Sequence, residues 1–501
     1  MKHQAETINR DSFIDALRVA SIVVVVLGHW ITTTVIWDDG LIEIENALSV
    51  IPSSHVATWL IQVMPLLFFV GGFANSRSLE AHDGNYLAFL RTRYWRLLTP
   101  TLVFVGVWLS IGVLAELLVN DLPNVLDRAA DLAALPFWFL GLYLFVVALA
   151  PPMIRLHRRW GWGLPVGMAV GVLAVDVVYY GLGATGIGVL NYALVWLLAH
   201  QLGFFYADGS LLGLNRRIVT AATMVGLAGL VALTTVGSYP VSMVGVPGDE
   251  RWNTNPPSLA LVMLTVWLVG LALLLRPPAL AWATARHEFL ARANRAVLTV
   301  FLWHVSAVAV AGAVLYPLGF PQRETGTAAW WALRPIWIAA LVPPMLLLVA
   351  AFRRFEIHPE PAGFAVRDAP LVRHVAAGIA VVSIGVGILG FGVTGFNRIV
   401  ADLGESVLGF NLNPLQNVAH LVLGLAVLWS AYRSLRVALA TATALAASFL
   451  VVGLLGSSDG IALLGMNCAT AWLHVALGAI GLALLGFSLG SAPSRPGHLP
   501  E

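Results

Sequence analysis

The chain has 501 residues, 59% of them apolar and 11% charged, with a mean hydropathy of +0.83. Soluble domains carry about 25% charged residues, so this composition excludes an ordinary soluble domain and implies an all-α polytopic membrane protein. A net charge of +2, with the arginines in short clusters between apolar runs, gives no basis for a nucleic-acid partner, and the single cysteine, Cys468, excludes a disulfide framework and a cysteine zinc site.

The first apolar stretch, DSFIDALRVASIVVVVLGHWITTTVIW at residues 11–37, is longer than a signal-peptide core and has no small-residue cleavage site after it. It is therefore expected to remain as the first span, over 19–37. Arg18 and His29 are eleven positions apart, which on a helix is about 16 Å of depth and about 20° of rotation. Both side chains then lie on one face, and Asp15, three residues before Arg18, shares it. With hydrocarbon about 30 Å thick, Arg18 sits near one interface and His29 near the midplane. An ionisable group at that depth is costly, which makes His29 a functional candidate ahead of a merely hydrogen-bonded histidine.

Thirteen further apolar runs follow, at 55–74, 97–119, 132–152, 164–181, 189–207, 218–237, 257–275, 296–316, 333–352, 374–394, 415–431, 437–456 and 469–489, for about 14 transmembrane helices in a 10 + 4 arrangement. Alternate loops and the tail hold 23 of the 28 Lys and Arg residues; the other five are Arg128, Arg251, Arg323, Arg334 and Arg398. The positive-inside rule then places both termini in the cytoplasm. Every loop is short, so chemistry must occur within the membrane body or at its faces.

A polar, proline-containing stretch divides the chain. The expected organisation is a ten-helix membrane domain over 1–355, a cytoplasmic linker over 356–373, a four-helix accessory domain over 374–490 and a cytoplasmic tail over 491–501. The accessory domain carries an internal repeat: NPLQNVAHLVLG and MNCATAWLHVALG place Asn413, His420 and Gly424 in one copy and Asn467, His474 and Gly478 in the other. Spacings of seven and four residues are about two turns and one turn, so each triplet is expected to stripe one helix face, the glycine admitting a neighbouring helix and the histidine bonding across it.

Other polar groups mark secondary candidates. Arg91, Arg93 and Arg96 precede the third span on the same side as Arg18, where they serve either as ordinary positive-inside flanks or as guanidinium forks for a polyphosphate. Gly71 and Gly72 in the second span would let another backbone or a slender ligand come close. His304 in the ninth span, His200 in the sixth and Asp176 in the fifth are candidates to line a cavity, or else to bond between helices. No residue pattern points to a metal site or a resident cofactor.

RVASIVVVVLGH at 18–29, FFVGGF at 68–73, RYWRLLTP at 93–100, PFWFLGLYLFVVALAPP at 136–152 and FLWHV at 301–305 together resemble the acyltransferase-3 family over about residues 10–355. These are bacterial membrane enzymes that O-acylate sugars, glycolipids and related acceptors. The resemblance implies an acyl-CoA donor, acetyl-CoA first among them, with its phosphates at Arg91, Arg93, Arg96 and Arg18 and its thioester near His29. It implies His29 as general base, with Asp15 orienting Arg18, and a glycan or glycolipid acceptor entering from outside. Two departures stand out. The second-span motif reads Phe-Phe-Val-Gly-Gly where many members have serine before the glycine, and the soluble extracytoplasmic domain that some members carry is missing, which implies an extracytoplasmic partner enzyme. Arginine outnumbers lysine 27 to 1 beside abundant alanine, glycine and valine, which fits a GC-rich bacterial genome and a multi-pass protein of the plasma membrane. The last four spans resemble a bacterial membrane domain of unknown function.

Two other classes fit the same apolar chain. A secondary transporter would need a repeat between its halves and matched broken helices, and neither is found. A non-catalytic membrane scaffold would leave the Arg18 and His29 placement incidental.

Overall fold

The computed structural model describes residues 11–38, 41–118, 124–356, 371–396, 406–407, 410–433, 435–456 and 467–490. The expected tail over 491–501 and most of the expected linker, 357–370, lie outside these. Almost everything described is helix. Thirteen helices are long and apolar enough to cross a membrane, and a bent pair brings the number to 14. The contacts divide the chain into two units: Met1–Gly84, Trp95–Phe104 and Leu149–Pro359 in the first, and Asn85–Tyr94, Val105–Ala148 and Glu360–Glu501 in the second.

In the first unit, α1 (Ser12–Thr32) begins where Asp11 caps it, its carboxylate accepting from the Phe13 and Ile14 amides at 2.9 and 3.2 Å. The helix does not run on to residue 37 as expected. It stops at Thr32, and β1 (Thr33–Asp38) pairs antiparallel with β2 (Leu41–Asn46) in a register from Thr33 opposite Asn46 to Asp38 opposite Leu41. Thr32, Thr33, Thr34, Val35 and Ile36 are all β-branched, and such residues favour a strand over a helix. Hydropathy alone does not register that difference.

α2 (Met64–Ala81) leads to α3 (Tyr86–Leu118), which contributes to both units. α4 (Asn124–Ala134) belongs to the second unit, and α5 (Phe137–Trp160) is again shared. The first unit continues with α6 (Gly163–Asp176), α7 (Val189–Ala207), α8 (Arg216–Thr235) and α9 (Leu259–Leu274). α2 packs on α7 at a crossing of glycines: Gly72 faces the His200 carbonyl, and Gly203 faces the backbone of Phe69 and Phe73. Phe68 stacks on Trp196 beside it at 4.7 Å between ring centroids. Small residues at both crossing points let the two backbones meet.

At Leu275 the chain turns by 60° into α10 (Arg276–Ala285). Pro277 and Pro278 lack the amide that would continue the α9 ladder, and they suit the first turn of a new helix. After α11 (His287–Asn294) come α12 (Val297–Leu315) and α13 (Ala328–Phe352). No side chain of its own caps α12. Glu356 does so from beyond α13, its carboxylate accepting from the Leu298 and Thr299 amides at 2.9 and 2.8 Å and from the Thr299 hydroxyl at 2.7 Å. Burial pushes this carboxyl above the usual glutamate range, opposed by those three hydrogen bonds and by the charge of Arg96. Glu356→Ala is expected to cost about 1–2 kcal/mol, as loss of an N-cap does, and a lowered midpoint in thermal unfolding of the detergent-solubilised chain checks it.

In the second unit, α14 (Leu371–Thr394) packs on α15 (Pro414–Ala431), and α16 (Leu435–Gly456) packs on α17 (Cys468–Gly490). The repeat takes a form that differs from the expected stripe. Asn413 and Asn467 are caps and not face residues, accepting from the Gln416 and Thr470 amides at 2.8 and 2.9 Å. Among the described residues the histidine side chains do not bond across helices: His420 Nδ1 donates to the Gln416 carbonyl and His474 Nδ1 to the Thr470 carbonyl of their own helices, both at 2.8 Å, while the His420 carbonyl accepts from the Ser383 hydroxyl of α14 at 2.7 Å. Their rings meet each other at 5.2 Å and both touch Phe449. Gly424 against Ser383 and Ile384, and Gly478 against Ala446 and Leu450, provide the close helix approach that small residues allow.

Candidate active site

Arg18 lies on the first turns of α1 with its Nη1 3.5 Å from Asp15. The same nitrogen donates to Asn294 Oδ1 at 3.3 Å, and Asn294 Nδ2 donates to the Leu290 carbonyl at 2.9 Å and the Asp15 carbonyl at 3.3 Å. The guanidinium is thus held from α1 by a carboxylate and from α11 by an amide. Nearby, Tyr206 donates to Asp11 at 2.8 Å and accepts from Arg276 Nε at 3.0 Å, which ties the start of α1 to α7 and α10. Sequence reasoning missed Asn294, Tyr206 and Arg276. Asp11 carried the one usable signal, an N-cap residue directly before an apolar run.

At the other end of the same face, His29 meets His304 of α12. His29 Nδ1 lies 2.8 Å from His304 Nε2, His304 Nδ1 lies 2.6 Å from the Phe301 carbonyl, and Trp30 Nε1 donates to the His304 carbonyl at 2.8 Å. A carbonyl can only accept, so His304 carries its proton on Nδ1, and its Nε2 in the neutral ring is an acceptor. His29 must then donate from Nδ1. Its Nε2 keeps the lone pair, with no hydrogen bond to any described residue. His304 is fully buried while His29 is half-buried. The partly enclosed His29 imidazole therefore carries one unprotonated nitrogen, its tautomer set by a fully enclosed partner.

The remaining candidates have partners of their own. His200 is fully buried and bonds Asn75 of α2 at 2.9 Å, and Gly72 is pressed against its carbonyl, so the neighbour that Gly72 admits is a backbone. Asp176, 3% exposed, accepts from Asn191 Nδ2 at 2.7 Å, from the Tyr239 hydroxyl at 2.8 Å and from the Leu259 amide at 2.8 Å, so that it caps α9 and joins α6 to α7. Asp176→Ala orphans three donors at once, each costing about 1–3 kcal/mol. The expected outcome is a clearly lowered thermal midpoint with the KM for an acyl donor unchanged.

Of the expected donor-binding arginines, Arg96 falls in the unit that holds Arg18. Arg91 and Arg93 belong to the second unit, where Arg91 lies over the Tyr432 ring at 5.8 Å and Arg93 Nη2 donates to the Tyr143 hydroxyl at 3.2 Å. The folded chain thus joins Asp15 to Arg18, His29 to His304 and Gly72 to His200, and it gives Asp176 separate partners. Among the described residues no group of three or more His, Cys, Asp or Glu side chains could hold a metal ion.

A family model described as an acyltransferase domain matches residues 11–354, and one described as a domain of unknown function matches residues 373–487. No curated protein and no solved structure shows a match. The first match takes in α1 through α13, with the paired histidines inside it, and the chain accordingly belongs to the acyltransferase-3 family and is a multi-pass membrane acyltransferase.

Proposed function

We propose that the protein is an O-acyltransferase that moves an acetyl group from cytoplasmic acetyl-CoA to a hydroxyl of a glycan or glycolipid at a bacterial plasma membrane. The observation that supports this reading is the His29–His304 pair, which leaves His29 Nε2 unprotonated and without a hydrogen-bond partner among the described residues. In the proposed step Nε2 takes the proton of the acceptor hydroxyl as its oxygen attacks the thioester carbonyl. The C–O bond forms, the C–S bond breaks, and the CoA thiolate leaves with the proton returned from His29. Among the described residues no serine, threonine or cysteine side chain bonds His29, which favours direct transfer over an acyl-enzyme. Arg18, held by Asp15 and Asn294, and Arg96 are assigned to the donor phosphates.

The test is purified full-length chain in nanodiscs with labelled acetyl-CoA, wild type beside His29→Ala and Arg18→Ala. Thioester hydrolysis or transfer in the wild type, lost in both variants at unchanged thermal midpoints, supports the reading. Activity indifferent to both substitutions, or solute flux that needs no CoA, overturns it.

A further inference from the structure

One cavity in the first unit is lined by none of the residues assigned to this chemistry so far. It measures about 430 Å³ and lies between the β1–β2 hairpin, the segment after α12 and the start of α13. Its lining includes Arg334, Glu45, Tyr316, Phe320, Trp330 and Trp337. Arg334, grouped by the sequence reading with the outer loops, lies inside α13 at 8% exposure. Its guanidinium stacks over Trp330 at 3.9 Å, and its Nη1 and Nη2 donate to the Thr33 carbonyl at 3.1 Å and the Thr34 hydroxyl at 2.8 Å. Both partners are neutral. Among the described residues no carboxylate lies within ion-pair distance of Arg334, and a buried charge with no counter-charge is an unfavourable arrangement that a bound anion would relieve.

The rest of the lining suits a sugar ring. Trp337 packs against Tyr316 and Phe320 at 5.6 and 5.5 Å, making an aromatic wall. Glu45 is half-buried and accepts from the Thr325 hydroxyl at 2.5 Å with one oxygen, leaving the other without a partner among the described residues. Gln322 ties the segment after α12 to β1, its amide accepting from and donating to the Trp37 backbone at 2.7 and 2.8 Å. The remaining charges of the lining, Arg323 and Glu324, are exposed and opposite in sign. Thr33, which binds Arg334, also closes the last turn of α1 on the His29 carbonyl. The first lining residue, Thr34, is five positions from His29, so the cavity begins about 9 Å along the chain from it, four residues at helical rise and one at strand rise, on the side away from Arg18.

We propose that this cavity is the acceptor subsite and that the acceptor is an anionic sugar, its carboxylate or phosphate on Arg334, its ring against Tyr316, Phe320 and Trp337, and a hydroxyl donating to Glu45. The word acceptor rests on the acyl-transfer reading of His29; the binding chemistry does not. An oxyanion beside hydroxyls is also the chemistry of a phosphoglycerol lipid headgroup, so the experiment separates the two sources.

Full-length chain in phosphatidylcholine nanodiscs is titrated with methyl glucuronide and with methyl glucoside, using saturation-transfer NMR. Wild type is expected to prefer the glucuronide by about tenfold, the worth of one hydrogen bond to a charged group, and the preference should shrink as salt is raised. Arg334→Gln is expected to bring the glucuronide down to the glucoside, and Glu45→Gln to weaken both sugars while keeping the preference. Equal binding of both sugars by wild type overturns the proposal whether or not Arg334→Gln folds, as does a preference that survives Arg334→Gln. Displacement of the glucuronide when phosphatidylglycerol replaces phosphatidylcholine assigns the site to a lipid headgroup and overturns it too. Binding is read without acyl-CoA, so a wild type with no thioester activity, or with activity indifferent to His29→Ala, beside an intact sugar preference would refute only the transfer reading.

Discussion

His29→Ala is expected to lower acyl transfer by about 10²–10⁴-fold, the range associated with a positioned general base. The figure rests on tautomer control as much as on the imidazole itself. His304 Nδ1 is committed to the Phe301 carbonyl, so in the neutral pair His304 Nε2 must accept and His29 Nε2 carries no proton. His304→Ala removes that control while leaving the base, and the expected loss is smaller, about 10–10²-fold, falling on kcat and not on the KM for acetyl-CoA. In the serine triad the group that orients the histidine likewise acts on tautomer and geometry. His304→Gln, whose amide oxygen can accept from His29 Nδ1, is expected to recover part of the rate. Steady-state kinetics on the four proteins, with thermal midpoints alongside, decides the matter: equal losses for His29→Ala and His304→Ala, or a His304 loss confined to KM, would contradict the division of roles.

Gly72→Ala is expected to disrupt the packing of α2 on α7 strongly. A methyl group there would fall inside van der Waals contact of the His200 carbonyl and press on the Gly203 Cα, and both obstacles are backbone. A flexible side chain could swing aside, but two packed helices must separate along their whole crossing. Overpacking in an interior typically costs about 1–3 kcal/mol, and a contact with backbone lies at or above the top of that range. Gly203→Ala meets Phe69 and Phe73 in the same way from the other helix. Both variants are expected to lose most of their monodisperse material in size-exclusion chromatography of the solubilised protein. Gly106→Ala is the control, because a Cβ at Gly106 meets nothing within 4 Å. Comparable yields for all three would show that the α2–α7 crossing does not depend on its glycines.

The sequence by itself carried whatever depends on the backbone repeat of a single helix. Apolar runs of span length follow from hydropathy, and 13 or 14 such helices are present among the described residues. The common face of Asp15, Arg18 and His29 follows from 3.6 residues per turn, and the Asp15–Arg18 contact is a three-residue spacing within one helix. The end of α1 was misplaced because hydropathy does not separate a β-branched strand from a helix, and Thr32–Ile36 is such a run.

Only the tertiary structure decided the partners. His304 stands 275 positions from His29, Asn294 stands 276 from Arg18, and Arg334 stands 301 from Thr33. Nothing in one chain's local pattern encodes which helix faces which. That choice comes from side chains packing across helices and from buried polar atoms needing partners, both properties of the assembled bundle. The same reasoning explains why Arg334 read as an ordinary loop arginine and why Asp176 proved to cap α9: a polar residue near the end of an apolar run looks alike in sequence whether it meets water, a neighbouring helix or a ligand.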